Sequence, residues 1–184
     1  MTTYKVYRKN IQKGGTMKKN GTYRLALAGM LTAVMFIIGY VESLLPAFFA
    51  VPGIKPGFAN IPVMLAIHLI DFKIALAISA ARILLSGFTF TGLFACIYSL
   101  AGSILSICVM TILKKTGKFS IVGISIAGGA AHNIGQITVA VIVLGSAVWY
   151  YLPVLIVSGI AAGLLTGIVT GVILKNFGDK LSGH

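Results

Sequence analysis

"HLIDFK", residues 68–73, decides how this chain is divided. It separates an apolar run at about 57–70 from another at about 74–89, and Asp71 and Lys73 stand between them. One helix drawn through both runs would strand those two charges in hydrocarbon, at about 2.5 kcal/mol or more for each. Read as a tight turn facing the cytoplasm, the same residues lie in water. The two runs are then separate segments.

Working outward, further apolar runs lie at about 23–45, 91–113, 119–145 and 151–174, which makes six. A span needs about 20 residues, so the second and third are short and the fifth is generous. The composition agrees: of 184 residues, 58% are hydrophobic and 10% charged, with a mean hydropathy of +0.99. Soluble domains carry about 25% charged residues, and a surface this poor in charge belongs in a bilayer. The expected fold is an all-α integral membrane protein of six helices.

The net charge of +12 is a topological signal rather than one for nucleic acid. Thirteen of the fifteen Lys and Arg lie before the first run, at the "HLIDFK" turn, after the fourth run or after the last. With both termini cytoplasmic all thirteen fall inside, and of the other two Lys55 falls outside and Arg82 within a run. This predicts a basic cytoplasmic tail over residues 1–22 resting on the anionic inner leaflet. A six-helix membrane domain follows over 23–174, then a cytoplasmic tail over 175–184. The first run is longer than a signal-peptide core and is expected to be retained. Cys96 and Cys108 are twelve residues apart on one segment, roughly 18 Å along a helix, and cannot bridge each other.

In the sixth segment Gly159, Gly163, Gly167 and Gly171 recur every fourth residue, the pattern of a helix-packing ridge. The first segment has a smaller patch of Ala28, Gly29, Thr32 and Ala33.

Polar groups are rare enough to be traced one by one. At 100° per residue, Ser125, Gly129, His132, Asn133 and Gln136 fall on one face of the fifth segment. Counting about 1.5 Å per residue puts His132 about 18 Å deep in a core about 30 Å thick. Such groups either bond neighbouring helices or bind a ligand, and three together favour a ligand. Arg82 is the costliest residue of the chain. It pairs with Glu42, near the outer end of the first segment, or meets an anionic group of a substrate, since a planar guanidinium suits carboxylate or phosphate. In "AVPGIKPGFANIP" the prolines forbid a continuous helix, and Asn60 is placed to cap the second one. That positive helix end, with Lys55, would draw an anion from outside. His68 is expected at the cytoplasmic interface.

Three acids, Glu42, Asp71 and Asp179, are too scattered to hold Mg²⁺ for prenyl or nucleotide chemistry, and no phosphate loop, CxxC or HExxH is present. The chain is expected to be no enzyme and to hold no metal or cofactor.

"GIKPGFANIP", "AARILLSG", "YSLAGSILSICVM", "SIAGGAAHNIGQ" and "YYLPVLIVSGIAAGLLTG" together resemble the Gx transporter family, also called heptaprenyl diphosphate synthase component I. The likeness runs from about Ala26 to Ile173. That family is similar to the substrate-binding S components of energy-coupling factor transporters. These are six-helix proteins that work with a transmembrane T component and two ATPases. The resemblance implies that Ala28, Gly29, Thr32 and Ala33 dock the T component. Taken with the polar groups of the chain, this predicts a small-molecule nutrient, anionic or amide-bearing, held by Glu42, Lys55, Asn60, Arg82, His132, Asn133 and Gln136, with Phe58 and Tyr98 against its apolar body. Two other roles fit the resemblance: an accessory of flavin- or quinone-linked extracellular electron transfer, and an anchor for isoprenoid or quinone synthesis.

Overall fold

A computed structural model describes residues 21–44 and 57–182. The expected N-terminal tail up to residue 20, the loop over 45–56 and Lys55 with it lie outside the described residues. Six helices follow in order: α1 (Gly21–Leu44), α2 (Ile61–Leu69), α3 (Phe72–Ser86), α4 (Leu93–Thr116), α5 (Ile121–Leu144) and α6 (Leu152–Ser182). No strand occurs among the described residues. Five stretches are long and apolar enough to cross a membrane, Gly21–Leu44, Phe72–Thr91, Leu93–Thr116, Ile121–Leu144 and Ser146–Phe177. The sixth apolar helix, Phe58–Leu69, is shorter. The protein is an all-α, multi-pass membrane protein.

The "HLIDFK" turn is as tight as the sequence predicts. Asp71 leaves the helical conformation and caps α3, its Oδ1 accepting from Ile74 N at 2.8 Å. Its other oxygen pairs with Arg24 at the start of α1. Beside it, Lys114 Nζ donates to Ile67 O at 2.6 Å, satisfying a carbonyl that the end of α2 leaves open. Ser120 caps α5 in the same way as Asp71 caps α3, accepting from Gly123 N at 3.1 Å. Between them Gly117 closes α4 with a φ of 66°, a left-handed conformation open to glycine.

α2 has nine residues, about 14 Å of helix against a core of about 30 Å. Two tethers to α1 fix its level. Near the end of α1, Glu42 Oε1 accepts from Phe58 N at 2.6 Å, and at the start of α1 Arg24 holds the turn that follows α2. The turn Phe58–Asn60 adds a stretch of 3₁₀ helix with its longer rise per residue.

Helices in lipid gain little from burying apolar surface against each other, so close packing must hold them. α5 is the central element and packs along both α4 and α6. A Cβ on Gly159 would lie 2.6 Å from Gly129 O, on Gly163 2.6 Å from Ser125 O, and on Gly167 2.9 Å from the Val122 Cα. The predicted ridge therefore exists, but with three members. Gly171 meets nothing within 4 Å, because Gly167 already lies against the first turn of α5 and Gly171 is one turn beyond it. α6 itself runs on to Ser182, through the residues expected as a tail.

The apolar core fills one half of the bundle, the half that ends at the Asp71 turn. Met35, Met64, Ile67, Ile107, Ile124 and Leu174 belong to it, all buried. His68, in the last turn of α2, is buried as well, with Nδ1 on Met64 O at 2.8 Å. Phe88, Phe94 and Ile142 face outward, each at least 74% exposed, as lipid-facing side chains do.

Candidate functional site

The other half of the bundle is hollow. A cavity of about 710 Å³ is lined by α1, α3, α4, α5, α6 and the Phe58–Asn60 turn, and it collects Glu42, Asn60, Arg82, His132, Asn133 and Gln136. These are the predicted binding residues that fall among the described residues. Its size suits a small organic ligand, for which pockets of about 300–1,000 Å³ are usual.

The wall on α1 starts at Gly39. A Cβ there would lie 3.4 Å from Arg82 Nη1, so the guanidinium reaches from α3 across to α1 at a point where the side chain is a hydrogen. Glu42 follows one turn later, buried, and attracts Arg82 electrostatically. Arg82 Nε is buried without a hydrogen-bond partner among the described residues. Arg82 also lies near enough to His132 to act on it.

Gly57, at a φ of 81°, turns the chain into the Phe58–Asn60 segment, whose first N–H goes to Glu42. Here two expectations need correcting. Asn60 makes no side-chain cap, because its own backbone is already helical and the 3₁₀ turn delivers the chain into α2. Its side chain joins the cavity lining instead. Phe58 contributes its backbone N–H, and its ring is not part of the lining, whereas Tyr98 is.

After α3, one wide π-helical turn, Gly87–Thr91, carries Phe90 into the cavity wall. Its ring is held by Phe36 and Tyr40, with centroids 5.6 and 5.5 Å away. Cys96 Sγ donates to Ile83 O at 3.4 Å, and both cysteines are free thiols.

The polar face of α5 divides between two jobs. Ser125 is buried against α6, its hydroxyl 2.8 Å from Thr166 Oγ1, and it does not reach the cavity. Gly129 admits Gly159 of α6. His132, Asn133 and Gln136 line the cavity. His132 and Gln136 press on Gly102 of α4, where a Cβ would lie 2.7 Å from His132 O and 2.8 Å from Gln136 Cγ. Asn133 spends its NH₂ on α6, donating to Leu155 O and, at 3.4 Å, to Ser158 Oγ. A carbonyl only accepts, so the amide must be turned this way, and its oxygen is what Asn133 can present to a ligand.

Ser86, Ser99, Tyr151 and Ser158 also line the cavity and went unnoticed in the sequence. Only Ser86 left a trace there, standing one turn after Arg82. Of the proposed docking patch, Ala28 faces the core, Thr32 is half-buried with its hydroxyl on Ala28 O, and Gly29 and Ala33 face outward. Ala28 is therefore unavailable to a partner, and only Gly29 and Ala33 remain as a surface pair one turn apart.

No curated protein and no solved structure matches the chain. A family model spanning residues 31–173 does, and on that match the chain belongs to the family described as heptaprenyl diphosphate synthase component I.

Proposed function

We propose that this protein is a substrate-capture subunit of the plasma membrane. It takes up a small anionic or amide-bearing nutrient from outside and depends on a partner T component and two ATPases for import. The observation that carries the reading is convergence. Six costly polar side chains drawn from α1, the Phe58–Asn60 turn, α3 and α5 line one cavity. Polar groups at membrane depth are tolerated where they face protein or a wet space, and they mark ligand pathways.

Orientation follows from the basic residues. Lys73, Lys115, Lys118 and Lys175 are exposed near the packed end of the bundle. By the positive-inside rule that end is cytoplasmic and the cavity faces outward. The outward pair Gly29 and Ala33 is the surface we assign to the T component.

The family description names part of a prenyl diphosphate synthase. That reaction needs clustered carboxylates for its metal ions. Here Glu42 and Asp71 stand at opposite ends of α1, one on Phe58 N and the other on Arg24. We read the chain as binding rather than catalysing.

The test is purification of the tagged protein from its native membrane in mild detergent, with mass spectrometry of associated proteins and retained small molecules. Recovery of a T component, two ATPases and a stoichiometric solute is expected. Arg82→Ala and His132→Ala should each lose uptake and solute retention. If both variants keep them unchanged, the site assignment is wrong.

A further inference from the structure

Resting on the capture reading, the charges and hydrogen-bonding groups of the cavity narrow what it takes. Arg82 and Glu42 are the ionised side chains of the described lining, and they carry opposite signs. The other polar groups there are amides, hydroxyls and one imidazole, which at its ordinary pKa is largely neutral at pH 7. The lining is charge-balanced among the described residues.

Two groups facing the cavity sharpen this, one a buried donor and the other an acceptor on the lining. Arg82 Nε is a buried donor without an acceptor among the described residues. The carbonyl of Asn133 is an acceptor whose own NH₂ is committed to Leu155 and Ser158 of α6. A solute that satisfies both brings an acceptor for Arg82 and a donor, N–H or O–H, for Asn133. A primary amide or a lactam has both on one planar group, whereas a carboxylate has no donor to give. A carboxylate would also bring a net negative charge beside Glu42 into a low-dielectric wall, where an uncompensated charge is strongly disfavoured.

We infer that the cavity selects uncharged amide- or lactam-bearing solutes over carboxylates of the same shape, and that Glu42 sets this preference. Glu42 acts by charge. Its second task, accepting from Phe58 N, is one that a glutamine oxygen performs equally well.

The experiment uses the full chain in nanodiscs and matched pairs of one shape, nicotinamide with nicotinate and benzamide with benzoate. They are measured by thermal shift and by equilibrium dialysis within a broad library of small solutes. In the native chain the amide of each pair should bind about tenfold tighter, the difference expected for one unpaired buried partner. Glu42→Gln should abolish or reverse that ratio. Arg82→Gln, which leaves a net negative cavity, should widen it, and it serves where Glu42→Gln does not fold. Tighter binding of carboxylates, or a ratio unmoved by either variant, overturns the charge balance and leaves capture standing. Binding of nothing in the library overturns the capture reading, and this inference with it.

Discussion

Asp71 does three things at one position: it ends the apolar run, caps α3 and holds Arg24. Asparagine caps a helix about as well as aspartate does, and losing a cap costs about 1 kcal/mol. Asp71→Asn should therefore weaken the fold only through the lost ion pair. Asp71→Ala should cost about 1 kcal/mol more, read as the unfolding midpoint in a detergent titration. Equal midpoints for the two variants would show that the cap contributes nothing. Expensive residues of this kind were the legible ones. Glu42, Arg82, His132, Asn133 and Gln136 all reach the cavity because a charge or an amide in an apolar run must face something. Serines were not legible, since a hydroxyl in a helix bonds its own backbone at little cost, as Ser86 does to Arg82 O and Ser158 to Leu155 O. Asn60 reaches the cavity lining as well but was misread as a cap, because its backbone conformation is set by the preceding 3₁₀ turn and not by its own side chain.

At the scale of elements, every run found in the sequence became a helix, and the boundaries moved by a few residues. Hydropathy fixes which residues need lipid or core but not where a helix stops once it reaches water, and α6 continues to Ser182 for that reason. The glycine ridge shows a related limit. Spacing alone places Gly171 with Gly159, Gly163 and Gly167, yet contact ends where α5 begins, and the start of a neighbour is invisible to the period of α6. Gly163→Ala should lower the midpoint clearly, since its Cβ would enter within 2.6 Å of Ser125 O, which is backbone and cannot turn aside. Gly171→Ala has open space and should be neutral or stabilising by up to about 1 kcal/mol from helix propensity. Detergent unfolding of the two variants side by side decides between a ridge of three and a ridge of four.

The molecule as a whole is packed at one end and hollow at the other, and the direction it faces is testable. In a background with Cys96→Ser and Cys108→Ser, Tyr150→Cys in the exposed turn at the hollow end should react with an impermeant maleimide in intact cells. Lys118→Cys at the packed end should react only after permeabilisation, and the opposite pattern would place the cavity inside. The division into halves could not be read from the sequence, because the apolar side chains filling one half are the same kinds that face lipid elsewhere. It also has an electrical consequence. Water filling a cavity lined with this many polar groups would conduct, and the membrane voltage would then fall mainly across the packed half. Moving a unit charge through the full field is worth about 2.3 kcal/mol per 100 mV. On the capture reading, an uncharged solute settling beside Arg82 and Glu42 moves no charge through that field, so its binding should be electrically silent. Any dependence of uptake on membrane potential would then belong to movement of the protein's own charges, Arg82 and Glu42 among them, and not to the solute.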